Sequence, residues 1–187
     1  MDEGAQVIKE NCPWEIVEIT EEDFVYRQIP VQKRIVNRNR KYPSESCFIL
    51  RDFEDSLSFN LERYINVDKN YKLIGITYSN GSWLNYTSFK IIKFPVIFLR
   101  SLSKFSNINH SPVNNGQPSD VGHPNNKSHT SLYCEAFDEG VRVELSDYCL
   151  ESNNECEFDV KLIREEIEAL RGRGNETPFH NLWDFDN

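Results

Sequence analysis

The sequence lacks the short motifs that mark the common nucleotide-binding and hydrolytic enzymes. It contains no G-x-x-x-x-G-K-[ST] phosphate loop, no G-x-G-x-x-G fingerprint, no H-E-x-x-H zinc motif and no G-x-S-x-G nucleophile turn. Each motif places a tight turn or a ligand pair where its chemistry needs it, so these frequent catalytic classes are disfavoured. We therefore expect a protein that is not an enzyme and that uses no cofactor.

Long apolar runs are also missing. The longest run, residues 91–99, is interrupted by Lys93 and Pro95 and is much shorter than the roughly 20 residues of a membrane-spanning helix. The chain starts with Met1, Asp2 and Glu3, and it lacks the basic and apolar regions of a secretory signal. We expect a cytoplasmic protein with no membrane partner.

The cysteines form an odd set without a C-x-x-C pair, which fits neither a disulfide framework nor a zinc finger. They are Cys12, Cys47, Cys134, Cys149 and Cys156. Reduced thiols are the simplest interpretation.

What the chain does have is the composition of one compact domain. Of its 187 residues, 39% are hydrophobic, 12% aromatic and 27% charged. A domain of this size buries roughly 70% of its unfolded surface, so its core needs no disulfide or metal. We expect a single domain over residues 1–171, followed by an acidic, aromatic tail over residues 172–187.

Charge is distributed unevenly along the chain, whose net charge is −9. Residues 1–25 carry one lysine and eight acids, a net charge of −7. Residues 26–134 carry fifteen basic and seven acidic residues, a net charge of +8. Residues 135–187 carry five basic and fifteen acidic residues, a net charge of −10. A basic middle thus lies between acidic ends.

The basic residues are densest just after Tyr26. They are Arg27, Lys33, Arg34, Arg38, Arg40 and Lys41, with no acid among them. Basic side chains beside aromatic rings are typical of surfaces that follow a phosphate backbone. A solvated face that pairs with the chain's own acids explains the same pattern, and the negative net charge slows the approach of a polyanion. Both interpretations stay open.

Most of the sequence predicts short strands. Residues 14–19, 24–29, 47–50 and 57–61 have strand-like patterns, and Pro30 is expected to end the second or put it on an edge. Residues 72–78 and 89–99 are rich in Ile, Tyr and Phe and are expected to form the centre of the sheet. Residues 131–137 and 141–145 predict a hairpin around Asp138-Glu139-Gly140.

A helix and two polar segments complete the prediction. Residues 107–130 have almost no apolar side chain and predict a long surface loop. Residues 159–171 predict an amphipathic helix, because apolar residues recur at helical spacing before Gly172. The expected fold is therefore α+β: a mostly antiparallel twisted sheet with this C-terminal helix packed on it. In the tail, Phe179, Trp183 and Phe185 either dock on the domain or bind a partner.

Three histidines in the polar segment are weak candidate metal ligands: His110, His123 and His129. Imidazole and the thiolate of Cys134 suit zinc, but their spacing fits no established finger. A hydrolase or nuclease is a further alternative, with His129 as general base and Asp120 or Asp138 as its orienting carboxylate. Cys134 or Cys47 beside a histidine is a candidate nucleophile.

Several fragments together resemble a group of small, uncharacterised bacterial proteins. The shared fragments are Tyr26-Arg27-Gln28-Ile29-Pro30, Ser46-Cys47-Phe48, Leu57-Ser58-Phe59-Asn60, Pro95-Val96-Ile97-Phe98-Leu99-Arg100 and His123-Pro124-Asn125-Asn126-Lys127-Ser128-His129. Their order and distances are similar over about residues 26–145. The resemblance implies an accessory member of antiphage or mobile-element operons and no enzymatic activity. The Asn-rich loop and the acidic extensions depart from the group's pattern.

If the resemblance holds, Arg27 and His129 are its most distinctive polar residues. Either is compatible with a structural role, Arg27 binding a carboxylate with two donors and His129 forming a hydrogen bond at a strand start.

These observations favour a protein-binding accessory or regulatory subunit of a bacterial multicomponent system, such as an antiviral or CRISPR-associated one. The expected partner is another, operon-encoded protein, and its candidate contacts are Arg27, Arg34, Arg38, Arg40, Lys41, Phe179, Trp183 and Phe185. The alternatives are a nucleic-acid-binding protein that uses the basic segment 27–41 and a metal-dependent hydrolase at the histidines.

Overall fold

The computed structural model describes residues 14–32, 43–52, 54–77, 86–113, 125–135, 137–151 and 155–171. Within them, one sheet is formed by six strands: β1 (Phe24–Gln32), β2 (Leu57–Leu61), β3 (Tyr86–Pro95), β4 (Asn107–His110), β5 (His129–Tyr133) and β6 (Glu155–Asp159). The helices are α1 (Val67–Thr77), α2 (Val96–Ser101), α3 (Glu139–Glu151), α4 (Val160–Arg171) and a short 3-10 helix, Glu45–Phe48.

The strands lie in the order β4-β5-β2-β1-β3-β6, and every neighbouring pair is antiparallel. The predicted α+β class is therefore confirmed. β1 pairs with β3 along its whole length, from Phe24↔Pro95 to Gln32↔Tyr86. Its ladder with β2 contains only Val25↔Leu61 and Tyr26↔Asn60, so β1 and β2 separate beyond this point.

Both faces of the sheet bury apolar side chains, because successive strand residues point to opposite sides. On one face, here called the α3 face, Val25, Ile29 and Phe59 pack with residues of the 3-10 helix, α2 and α3. On the other, the α1 face, Tyr26 and Phe89 pack with residues of α1 and α4. The sheet is thus the middle layer of three.

Two predicted elements are confirmed. The C-terminal helix begins at Val160, and Val160 and Ile163 are buried in the cluster on the α1 face. The strand at residues 57–61 is β2, with Leu57, Phe59 and Leu61 buried. Asn60, which points to the opposite face, is buried as well.

The predicted strand at residues 72–78 is wrong, because residues up to Thr77 belong to α1. The Asn66 side chain accepts the amide of Lys69 at 2.8 Å, as an N-cap does. The buried residues Asn70, Leu73 and Ile74 then follow at helical spacing. The β-branched and aromatic residues of this segment favour a strand. The helical spacing is hidden in the sequence because the buried residue Asn70 is polar.

The predicted hairpin is also wrong in its second half, which lies in α3. Asp138 caps this helix, its Oδ1 accepting the amide of Val141 at 3.0 Å. Val141, Leu145 and Cys149 are buried at a spacing of four residues. The first half is correct as far as Tyr133, where β5 ends.

Four other predictions of secondary structure need correction. Residues 14–19 form no strand, and residues 45–48 form the 3-10 helix instead of a strand. β1 continues through Pro30 to Gln32; at Pro30 it pairs with β3 and has left the β2 ladder, so the missing proline N–H costs no bond. β3 ends at Pro95, and Val96 begins α2.

The predicted loop at residues 107–130 is wrong at both ends. β4 and β5 occupy these ends and pair with each other, and Val113 and Asn126 form a further antiparallel bridge. The polar residues His110, Ser128 and Thr130 are buried here. Residues 114–124 lie outside the described residues, as does His123. None of the described helices is long and apolar enough to cross a membrane.

The aromatic core on the α3 face yields a stability prediction. Phe94 is fully buried, contacts Phe59 edge-to-face and stacks on Tyr148. We expect Phe94→Ala to lower the free energy of unfolding in urea by about 3–5 kcal/mol, because it leaves a cavity. Leu162→Ala, at an exposed position of α4, is the control, with an expected change within about 0.5 kcal/mol. Equal losses in both variants would contradict this core assignment.

Candidate functional site

The α1 face buries an apolar cluster at β1, β3 and β6, whereas its side chains at β2, β5 and β4 are polar. This polar half-face consists of Ser58, Asn60, Asn107, Asn109, His129, Ser131 and Tyr133, which share one side by alternation. The register sets Ser58 opposite Ser131 and Asn60 opposite His129. Seven polar side chains are therefore collected on one side of these three strands.

A buried cluster of side-chain amides borders the half-face. Asn60 Nδ2 donates to Asn70 Oδ1 at 3.1 Å, and Asn60 Oδ1 accepts Asn126 Nδ2 at 2.8 Å. Ser128 Oγ donates to Asn126 Oδ1 at 2.7 Å, and Gln28 Nε2 donates to Asn70 Oδ1 at 3.2 Å. We call these five residues the amide cluster.

The amide cluster joins four elements, namely β1, β2, α1 and the turn that leads into β5. Asn60, Asn70, Asn126 and Ser128 are at most 8% exposed. Leaving one of these buried groups without its partner costs about 1–3 kcal/mol. The cluster therefore holds the turn before His129 in a defined position against β2.

His129 has a defined tautomer. Its Nδ1 lies 2.8 Å from the carbonyl oxygen of Ser111, which can only accept a hydrogen bond, so Nδ1 carries the proton. Nε2 therefore holds the lone pair, and it lies 3.1 Å from Ser58 Oγ. The Ser58 hydroxyl is the donor in this bond. As predicted, His129 is hydrogen-bonded at the start of a strand.

The exposed Ser58 and the partly buried His129 form a serine–histidine pair that faces solvent at its serine end. Two further hydroxyls adjoin it: Ser111 Oγ lies 3.0 Å from His129 Nδ1 and 2.8 Å from Ser131 Oγ. A hydroxyl bonded to a neutral imidazole whose other nitrogen is oriented by a third group is the arrangement of an activated nucleophile.

The pKa of His129 is lowered from its ordinary value of 6.5, chiefly by burial and also by the nearby His110, against the opposing effect of the Ser111 carbonyl. The neutral imidazole, which is the form that accepts a proton, is therefore favoured at neutral pH. This is the protonation state that a general base requires.

Arg27 lies next to Ser58 on the other side of the sheet. Its Nη1 donates to the Ser58 carbonyl oxygen at 2.7 Å and its Nη2 to the Cys47 carbonyl oxygen at 3.2 Å. The guanidinium carbon lies over the rings of Phe48 and Phe59, 5.5 and 5.4 Å from their centroids. Arg27 thus makes contacts within the fold, to carbonyl oxygens and aromatic rings.

The hypothesis that His110 and His129 bind one metal ion does not fit the geometry. His110 pairs with Thr130, the residue after His129, so the two histidines lie on opposite faces. His110 Nδ1 accepts the amide of Val17 at 3.1 Å, and its Nε2 donates to the Lys127 carbonyl at 2.6 Å. Among the described residues, no three His, Cys, Asp or Glu side chains form a group that could hold a metal.

The predicted catalytic partners of the histidines are differently placed. Asp138 caps α3, and the structure gives His129 a serine carbonyl as its orienting group. Burial raises the pKa of the Cys134 thiol, which disfavours the reactive thiolate. Asp120 lies outside the described residues, as do Arg34, Arg38, Arg40, Lys41, Phe179, Trp183 and Phe185.

Comparison with known proteins adds no assignment. No protein-family model, curated protein or solved structure matches the chain.

Sequence reasoning selected His129 but missed Ser58, Ser111 and the amide cluster. The alternation of residues 57–61 puts Ser58 on the strand face opposite Leu57, Phe59 and Leu61. The hydrogen bond between Ser58 and His129 joins side chains that are 71 positions apart in the sequence. No short motif records such a distance.

The buried histidine of the α3 face yields a pH prediction. The pKa of His110 lies below 6.5 because of burial, assisted by the charges of Lys127 and Arg63 and opposed by the Lys127 carbonyl bond. The unfolded chain therefore binds a proton near pH 6.5 that the folded chain does not. The free energy of unfolding should change little between about pH 7.5 and 8 and should fall as the pH drops below 6.5.

Urea titrations of the wild type and of His110→Gln between pH 5 and 8 test this. We expect the variant to lose part of the slope below pH 6.5, whereas His129, whose pKa is also lowered, retains the rest. Identical slopes in both proteins would contradict the prediction.

Proposed function

We propose that the polar half-face is an active site for acyl transfer to water, the hydrolysis of an ester or amide. Ser58 is the nucleophile and His129 the general base. The observation that carries this proposal is the bond from exposed Ser58 Oγ to His129 Nε2, with Nδ1–H held by the Ser111 carbonyl. The proposal departs from the expectation of a protein without enzymatic activity.

The proposed reaction has two halves. Ser58 Oγ attacks the substrate carbonyl as its proton moves to His129 Nε2, and the imidazolium then gives that proton to the leaving alkoxide or amine. In the second half, Nε2 takes a proton from water, whose oxygen attacks the acyl group, and Ser58 recovers its proton on release of the acid. The Ser111 carbonyl stabilises the imidazolium through Nδ1–H in both halves.

Two features support access and charge stabilisation. Ser58 is exposed, so a substrate carbonyl can reach its hydroxyl. Ser131 is its cross-strand partner, which puts their Cβ atoms about 4.5–5.5 Å apart. The Ser131 hydroxyl is the donor that we assign to the developing oxyanion.

A fluorophosphonate probe, which forms a covalent adduct with activated serines, tests the proposal. Peptide mapping by mass spectrometry should locate the adduct on Ser58. We expect Ser58→Ala to abolish it and His129→Ala to slow labelling by on the order of 10²–10⁴-fold, the usual contribution of a general base. The labelling rate should fall as the pH drops and His129 becomes protonated. The midpoint should lie below pH 6.5, because the pKa of His129 is lowered.

Ser101→Ala is the matched control, because Ser101 is an exposed serine whose hydroxyl donates to the Phe98 carbonyl on α2. It should label like the wild type. Labelling that is spread over exposed serines, or that is unchanged in His129→Ala, would refute the assignment.

A second candidate function is the binding of a basic protein partner, as expected for an accessory subunit. It is supported by the solvent side of α3, where Val143 and Leu150 are 39% and 38% exposed. Four exposed acids surround them: Glu139, Glu144, Asp147 and Glu151. Acidic and apolar side chains together suit a basic amphipathic helix. The operon membership implied by the resemblance remains a prediction.

We also propose that the protein is cytoplasmic, as expected from the sequence. The described cysteines, Cys47, Cys134, Cys149 and Cys156, are free thiols. This supports a reducing compartment such as the cytoplasm.

A labelled helical peptide with Lys and Leu at amphipathic spacing tests the proposed binding surface on the solvent side of α3. We expect binding that weakens with salt and that falls at least tenfold in a Glu144→Lys, Asp147→Lys double variant. The controls are a peptide with Glu in place of Lys and the variant Glu165→Lys, at an exposed position of α4. Equal binding by both peptides, or by the double variant and the wild type, would exclude the surface.

A further inference from the structure

The carbonyl group of Ser58 lies where the sheet opens. The last bridge between β1 and β2 within the described residues joins Tyr26 to Asn60, and Ser58 lies two residues beyond it. On its other side, Ser58 is paired with Ser131 of β5. Ser58 is therefore held by a strand ladder on one side only.

The guanidinium of Arg27 fills this opening. Its Nη1 reaches the Ser58 carbonyl oxygen at 2.7 Å from the side where β1 has separated. A second bond, from Nη2 to the Cys47 carbonyl at 3.2 Å, ties the same group to the 3-10 helix. The arginine side chain thus supplies, between β1 and β2, the bond that the ladder no longer makes.

The surroundings of Arg27 restrict its movement. The guanidinium carbon lies 5.5 Å from the ring centroid of Phe48 and 5.4 Å from that of Phe59, and both rings are buried. A planar cation over aromatic rings is held by cation–π attraction and by packing. Lysine cannot reproduce two donors in one plane, so the site is specific for arginine.

We propose that Arg27 is a positioning residue that holds the backbone of Ser58 so that its hydroxyl meets His129. The inference rests on the proposed acyl-transfer function. It also gives Arg27 a role that differs from the partner contact expected from its charge. Displacing a nucleophile by about 1 Å can cost about 100-fold in rate, so one backbone contact is sufficient to affect the reaction.

Fluorophosphonate labelling of Ser58 in Arg27 variants tests this role, with p-nitrophenyl acetate hydrolysis as a second readout. We expect Arg27→Lys and Arg27→Ala to label Ser58 about 10- to 100-fold more slowly and to lower kcat with KM little changed. The pH midpoint should stay at the wild-type value, because His129 and its orienting carbonyl are untouched. Millimolar methylguanidinium should restore part of the rate in Arg27→Ala.

Arg100→Lys is the matched control. Arg100 Nη2 also donates to a backbone carbonyl, that of Ile19, at 2.7 Å, in a different part of the fold. We expect this variant to lose thermal stability without a change in labelling rate. A similar loss of labelling in both arginine variants would reduce Arg27 to a structural role.

The outcomes separate the two proposals. If the wild type labels at Ser58 and Arg27→Lys labels equally fast, the positioning role is wrong and the proposed function stands. If Ser58 of the wild type does not label, both are wrong. Should the Arg27 variants fail to fold, Phe48→Leu keeps the arginine but removes one ring, and an unchanged labelling rate in this variant would overturn the positioning role.

Discussion

The hydrogen bonds of Asn60 are the interaction on which the rest of the site depends. Its side chain accepts from Asn126 and donates to Asn70, and all three amides are buried. A buried amide must keep its partners, since an unmatched one costs about 1–3 kcal/mol. This requirement fixes α1 and the turn before β5 relative to β2. The positions of His129 and Ser58 follow from that arrangement.

The same strands present different side chains on the two faces of the sheet. The α3 face buries Phe59, Phe94 and other apolar side chains, which stabilise the fold through apolar burial. At β2, β5 and β4, the α1 face carries hydroxyls, amides and an imidazole instead. Arg27 connects the two, because its side chain packs on the apolar side while it donates to the backbone of Ser58. The Ser58–His129 pair is thus held by contacts on both sides of one sheet.

The sequence predicted the elements whose burial is apolar and regular, such as β2 and α4. It failed where burial is polar: α1 hides Asn70, and the segment taken as a loop hides His110, Ser128 and Thr130. Hydrophobic periodicity cannot detect a residue that is buried through hydrogen bonds. Of the site, it selected His129 by residue type, but with a carboxylate, cysteine or metal as partner instead of Ser58.

The sequence by itself determined the α+β class, the segregation of charge, the C-terminal helix and the alternation that puts Ser58 on an outer face. These features depend on local order along the chain, on which propensity and periodicity act. Only the tertiary structure decided which polar groups meet. The Ser58–His129 bond and the Arg27–Ser58 bond join residues 71 and 31 positions apart. Such contacts arise from strand order and register, which are set by packing across the whole sheet.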